Sequence, residues 1–365
     1  MIYNIINKAA EKGDLQSLII AHEQGYHLMD NLTSLWDEEI CANAAKNGHL
    51  HCLKYAHEHG CPWNELTCIY AVMNNQIDCL RYAHEHGCPG VEFTCLYAVI
   101  HGQLDCLKYA HEKECHLTDS LTAFWNTWTC ERAAEEGHID CLKYAHENGC
   151  PWDEWTCAYA AMNGHLICLI YAHENGCPWD ERTCFKAVEK GQIDCLRYAY
   201  EHGCPCHEWT CAFAAGSSQL ECLKYVHEHG CLWNSMTCKY AAMKGHLNCL
   251  KYAHENGCHP TDGLKAPWDE WTCASAAENR NWDCLAYATD KGASWVNVNR
   301  SDAIIAINRW HFLHVIIRRV QALNIHAIKS SIDIISDAWI NFSYVPIPGR
   351  PGYERGMKSF YDQQN

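Results

Sequence analysis

The stretch Thr156–Arg182 reads TCAYAAMNGHLICLIYAHENGCPWDER and decides the fold. Thr156 is a residue type that commonly caps helix N-termini, since its hydroxyl can accept a hydrogen bond from an unpaired amide of the first turn. The segment from Cys157 to Asn163 is rich in alanine and holds no helix breaker. Gly164 follows it and supplies the left-handed residue that ends many helices. A short first helix, capped by Thr156, is therefore predicted here.

A second helix is predicted over the segment His165–Asn175. Its apolar residues Leu166, Leu169 and Ile170 recur at spacings of three and four, which places them on one face of a helix. Gly176 ends this helix as Gly164 ends the first. The 27-residue stretch is therefore one helix–turn–helix repeat with a short link.

Copies of this repeat fill most of the 365-residue chain. A cysteine in the middle of the second helix marks the phase, and Leu18 holds that place in a divergent first repeat. The cysteines are Cys52, Cys79, Cys106, Cys141, Cys168, Cys195, Cys222, Cys249 and Cys284. Two short helices bury too little surface alone, so neighbouring repeats must stack into a continuous core. The sequence predicts an all-α fold: an α-solenoid of about ten repeats over residues 1–295.

The repeat resembles the ankyrin repeat. The matching text lies in Thr156–Ala161, Gly164–Leu166 and Gly176–Cys177. Cysteine replaces the proline that usually follows the family's threonine, and the repeat lacks the β-hairpin finger. The resemblance implies a non-enzymatic protein that binds other proteins. Short repeats with the run Y-A-H-E-x-G-C-P-W are, more narrowly, similar to ankyrin-type proteins of amoeba-infecting giant DNA viruses.

Three links between repeats are eight residues longer than the others. Each carries an aspartate in a similar context, and these are Asp30, Asp119 and Asp262. Because loops often carry function, these links are predicted to contact a partner. The alternative is that they relieve strain in the superhelix. Beyond the repeats, residues 296–345 are predicted to form a helical cap and residues 346–365 a flexible tail.

Charge and composition exclude several classes of function. The formal net charge of -16 disfavours binding to nucleic acid or to anionic membranes. No apolar run approaches the length of a membrane span, and the N-terminus lacks the apolar core of a signal peptide. A cytoplasmic protein with reduced thiols is expected, located in the host cytoplasm if the chain is viral. The sequence contains no phosphate-binding loop, no G-x-S-x-G and no H-E-x-x-H, so no enzyme is predicted.

The 27 cysteines allow two interpretations. In the first, they pack as small hydrophobic residues, and no cofactor is bound. In the second, the recurring pattern H-x3-C-x6-C binds zinc or copper. The candidate ligands are His57, Cys61 and Cys68, then His146, Cys150 and Cys157, then His173, Cys177 and Cys184.

The tryptophans directly before the first-helix threonine are candidates for partner binding, because tryptophan is enriched at binding hot spots. They are Trp155, Trp209 and Trp271. The alternative is that these rings close gaps between repeats. Three functions remain open: an interaction scaffold for a partner protein, a metal-binding or thiol redox-buffering protein, and a self-associating structural component.

Overall fold

The computed structural model describes residues 2–28, 36–90, 93–113, 125–257 and 270–293, which form twenty α-helices and no strand. Consecutive helices pair into repeats, as predicted, and the all-α repeat architecture is confirmed. The chain divides into two compact units, Met1–Pro205 and Cys206–Asn365. The first contains α1 Ile2–Lys12, α2 Leu15–Leu28, α3 Glu38–Lys46, α4 Leu50–Glu58, α5 Glu65–Met73, α6 Ile77–Glu85, α7 Thr94–Ile100, α8 Leu104–Glu112, α9 Thr127–Glu135, α10 Ile139–Glu147, α11 Glu154–Met162, α12 Leu166–Glu174, α13 Glu181–Lys190 and α14 Ile193–Glu201. The second contains α15 Glu208–Gly216, α16 Leu220–Glu228, α17 Ser235–Lys244, α18 Leu247–Glu255, α19 Glu270–Glu278 and α20 Trp282–Asp290.

In most repeats the first helix begins two residues before its threonine, although α7 begins at Thr94 itself. In α11 the side chain of Asp153 accepts a hydrogen bond from the amide of Trp155 at 3.0 Å, so Asp153 is the N-cap. Thr156 is instead the third residue of the helix and is fully buried. The prediction of Thr156 as the cap is wrong because an acidic side chain three residues earlier already satisfies the first turn.

The two layers of helices pack differently. Odd-numbered helices bury alanine, cysteine and threonine, and these small side chains let neighbouring odd helices pack directly on one another. Even-numbered helices bury a leucine and a cysteine, such as Leu169 and Cys168 in α12, and lie farther apart within each compact unit. The space between the ends of neighbouring even helices is bridged by rings, which are described below.

Each repeat also contacts its neighbour through the turn between its helices. His138 Nε2 donates to the carbonyl of Ile100 in the preceding repeat at 3.1 Å, and His49 does the same to Glu11 at 3.2 Å. The His138 ring lies against Gly102, whose φ is +68° and where a Cβ would approach His138 Nδ1 to 2.5 Å. At both positions the histidine after the glycine therefore joins its repeat to the preceding one.

Several predicted features lie outside the described residues. These are the helical cap over 296–345, the tail over 346–365 and most of each long link. The predicted domain boundaries therefore stay predictions. Within the described part of the chain, no helix has both the length and the apolar character needed to cross a membrane.

Candidate functional site

The odd-numbered helices carry large side chains on the surface that does not face the core. Positions 2 and 6 of a helix lie on the same face, because they are separated by four residues. These positions hold Leu66 and Tyr70 in α5, Trp128 and Arg132 in α9, Trp155 and Tyr159 in α11, Arg182 and Lys186 in α13, Trp209 and Phe213 in α15, Met236 and Tyr240 in α17, and Trp271 and Ser275 in α19. We call these positions, taken within each compact unit by itself, the aromatic face. Most of its members are partly or largely exposed.

In the first compact unit, arginine side chains of the chain itself lie over the tryptophan rings of the aromatic face. The guanidinium of Arg182 lies over the ring of Trp155, 4.8 Å from its centroid. The same guanidinium contacts Glu154 at 3.1 Å and Asp180 at 2.8 Å. Trp155, Glu154 and Asp180 therefore form a site that holds a guanidinium between an aromatic ring and two carboxylates. We call this site the seat.

A cation also lies over the ring of Trp128. The guanidinium of Arg132, one turn along α9, lies 4.9 Å from the centroid of the Trp128 ring. In the second compact unit, the ammonium of Lys239 lies 5.4 Å from the centroid of the Trp271 ring. Cation–π contacts of this kind stabilise exposed sites by about 0.5–1 kcal/mol each.

Trp209 has other neighbours. Its ring centroid lies 6.2 Å from that of Phe213 and 6.1 Å from that of Tyr240, and the Tyr240 ring is perpendicular to it. Phe213 and Tyr240 are themselves 5.7 Å apart. Three rings therefore meet at this point of the aromatic face, and Trp209 remains 38% exposed.

The predicted partner-binding tryptophans all lie on this face. Trp271 is 57% exposed, Trp209 is exposed, and Trp155 is half-buried under Arg182. Trp128, which is 46% exposed, belongs with them but was not among the predicted residues. Its position directly before Thr129, one 27-residue step ahead of Trp155, is the signal that identifies it. The predicted loop residues Asp30, Asp119 and Asp262 lie outside the described residues.

A second set of rings lies at the C-terminal ends of the even helices, and we call it the joint row. In a typical member, the rings of His173 and Trp179 stack at 3.8 Å, and His173 Nδ1 lies 3.0 Å from the hydroxyl of Tyr198 in the next repeat. Further members are His22, Trp36 and Tyr55; His57, Trp63 and Tyr82; His111, Trp125 and Tyr144; His146, Trp152 and Tyr171; and His227, Trp233 and Tyr252. Each member fastens one repeat to the next.

Burial changes the titration of the joint row. It lowers the pKa of His22, His57, His173 and His227, because a charged imidazolium loses solvation between stacked rings. It raises the pKa of Tyr198 for the same reason. The neutral imidazole is therefore favoured at these four histidines, and the neutral phenol at Tyr198.

The nine candidate metal ligands are placed in other contacts. His57, His146 and His173 each stack on a tryptophan and reach a tyrosine hydroxyl with Nδ1. Cys61, Cys150 and Cys177 direct their thiols to the backbone carbonyls of Asp37, Asn126 and Asp153, each at 3.2 Å. Among the residues that the structure describes, no three His, Cys, Asp or Glu side chains are placed to share a metal ion.

The remaining three candidates, Cys68, Cys157 and Cys184, lie buried in odd-numbered helices. A hydrogen bond to Cys177 and burial raise the pKa of Cys157 well above its usual range. Burial raises the pKa of Cys168 to about 11, although the charge of Lys143 opposes the shift. Thiols in such surroundings stay protonated at neutral pH, whereas metal binding and redox chemistry use the thiolate. The geometry gives no support to the metal-binding alternative.

Comparison with known proteins finds a family match for one stretch of the chain. Residues 130–173 match the family model for ankyrin repeats (many copies). No curated protein matches the chain. The crystal structure of the human ASB11 ankyrin repeat domain is similar with a TM-score of 0.40 and 18% sequence identity, covering 50% of this chain and 95% of that chain. The family match lies within the first compact unit.

Proposed function

We propose that this chain, a helical repeat protein with an ankyrin-type segment, is a non-enzymatic scaffold that binds a partner protein through its aromatic face. One observation carries the proposal: tryptophans recur on the surface of the odd-numbered helices and stay partly or largely exposed there, even where a side chain of the next repeat contacts them. Large exposed rings on a rigid helical surface supply contact area at low cost in conformational entropy.

The experiment compares variants of the aromatic face with a matched control. A protein retained from a cell extract by the full-length chain is identified, purified and titrated by calorimetry. We expect the triple variant Trp155→Ala, Trp209→Ala and Trp271→Ala to weaken its binding at least about thirtyfold, which is the scale of one hot-spot residue. The control is Ile167→Ser on α12, which alters a residue that is 68% exposed and lies outside the aromatic face.

A triple variant that keeps its circular dichroism spectrum and binds the purified partner as tightly as the wild type would contradict the proposal. Equal weakening by Ile167→Ser would also contradict it, because the effect would then not belong to the aromatic face. The predicted loop residues Asp30, Asp119 and Asp262 are tested in the same titration as alanine variants.

We also propose that binding requires no cofactor and takes place in the cytoplasm, where the thiols stay reduced. For a chain of viral origin this is the host-cell cytoplasm. The net charge of -16 supports a protein rather than a nucleic acid or a membrane as the partner. Elemental mass spectrometry of untagged protein tests the first statement: about one zinc or copper per repeat would replace it with the metal-binding alternative. Light scattering at two concentrations tests self-association.

A further inference from the structure

The seat around Trp155 shows how this protein holds a guanidinium. Glu154 directly precedes Trp155, and Arg182 comes from position 2 of the next odd-numbered helix. Its guanidinium lies over the ring and contacts the carboxylate of Glu154 at 3.1 Å. The seat is built from two consecutive residues of one repeat and one cation of the next.

The same two residues recur in the second compact unit without that cation. Glu208 directly precedes Trp209, as Glu154 precedes Trp155, but position 2 of the next odd-numbered helix is Met236. Within this unit, no described lysine or arginine lies over Trp209, and its ring contacts are with Phe213 and Tyr240. Trp209 and Glu208 thus repeat Trp155 and Glu154, whereas Met236 stands at the position of Arg182.

A glycine in α15 affects how the rings around Trp209 pack. Position 9 of α15 is Gly216, where a Cβ would approach the Cβ and Cδ1 atoms of Tyr240 to 3.3 Å. The equivalent positions of α9, α11 and α13 hold Glu135, Met162 and Glu189. The missing side chain at Gly216 gives Tyr240 room beside Phe213, and the three rings then meet at mutual distances of 5.7–6.2 Å.

We propose that Trp209, Phe213 and Tyr240, with the carboxylate of Glu208, form a binding site for an arginine side chain of the partner protein. Arginine fits because its planar guanidinium stacks on aromatic faces and pairs with carboxylates, as Arg182 does on Trp155. The net charge of -16 favours a basic partner segment. The site rests on the proposed function, since it specifies what the aromatic face recognises.

The test uses the full-length chain with labelled tryptophan indoles, followed by NMR. The probe is acetyl-arginine amide, and its neutral counterpart is acetyl-citrulline amide, which keeps the shape and loses the charge. We expect arginine amide to shift the Trp209 indole resonance, assigned with Trp209→Phe, and citrulline amide to bind about tenfold more weakly. Added salt is expected to weaken arginine binding.

Met236→Arg is the decisive variant, because it places a guanidinium where Arg182 stands in the other seat. We expect it to shift the Trp209 indole without added probe and to weaken arginine binding at least about tenfold. Met236→Gln, a neutral control of similar length, is expected to bind within about twofold of the wild type, since it adds no competing cation. Equal affinity for arginine and citrulline, or wild-type binding by Met236→Arg, would overturn the proposal.

The outcome is separable from that of the proposed function. If Trp155→Ala and Trp271→Ala weaken the protein partner but Met236→Arg does not, this site is wrong and the scaffold function stands. If no variant of the aromatic face affects the partner, the scaffold proposal is wrong, and the arginine titration still reports on the site directly.

Discussion

Rings occur in two settings in this protein. In the joint row, Trp179 stacks on His173 of its own repeat, and that histidine reaches Tyr198 of the next. On the aromatic face, Trp155 lies beside Tyr159 of its own helix and beneath Arg182 of the next repeat, and it stays partly exposed. The same residue type is thus part of a hydrogen-bonded junction at one place and of a partly exposed surface at the other. Residue identity alone does not separate binding from packing; the contacts do.

The largest expected effect separates the two tryptophans. Trp179→Ala should lower the free energy of unfolding by about 2 kcal/mol, because it removes a half-buried ring stacked at a junction between repeats. Trp155→Ala should lower it by less than about 1 kcal/mol, which is the scale of an exposed cation–π contact. Urea denaturation followed by circular dichroism measures both values. Equal losses would mean that both tryptophans act as packing residues.

A second pair of variants compares a glycine at a junction with one at a free edge. Gly102→Ala should destabilise the protein by about 2 kcal/mol or more, because its Cβ would collide with His138 in addition to adopting positive φ. Gly149, with φ of +78°, has no atom within 4 Å of an added Cβ. Gly149→Ala should lower the free energy of unfolding by only about 1 kcal/mol, which is the effect of placing alanine at a positive φ. Thermal melts of the two variants would be indistinguishable if the turn did not join repeats.

Lowering the pH should destabilise the contacts of the joint row. Burial lowers the pKa of His57, His173 and His227 in the folded protein. The unfolded chain then binds more protons, so the stabilisation is fully present above the unfolded histidine pKa of about 6.5 and is lost as pH falls through the lower folded values. Melting temperature should decrease from pH 7 to pH 5. Replacing all three histidines by glutamine should flatten this dependence, whereas His51→Gln, an exposed site on α4, should leave it unchanged.

The smallest expected effect concerns Cys206, one of the positions where another residue replaces the tryptophan of the joint row. Cys206 stands two residues after Cys204, at the position that Trp179 holds after Cys177. It is half-buried, and the other described cysteines are buried. A short pulse of iodoacetamide, read by peptide mass spectrometry, should therefore label Cys206 before Cys168. The reaction should still be slow, because a hydrogen bond to Cys231 and burial raise the pKa of Cys206. Faster labelling of Cys168 would contradict the burial of the even-helix cysteines.

Local sequence signals were sufficient for the repeat architecture. The period and the glycines that end helices each depend on neighbouring residues or on a fixed step to the next repeat. The helix start was mispredicted because Thr156 and Asp153 are both good capping residues, and the choice depended on which one the neighbouring helices bury. Trp128 could have been found from its register alone.

By itself the sequence determined the helix–turn–helix repeat, its phase and the register in which tryptophans precede the threonines. The reason is that each repeat carries similar helix-forming and helix-ending residues at the same positions. Only the tertiary structure decided which rings are joined and which are exposed. That choice depends on residues about 25 to 40 positions apart, such as His173 with Tyr198 and His138 with Ile100. The seat of Arg182 on Trp155, and the matching place at Trp209 without a cation, follow from that stacking and from no local motif.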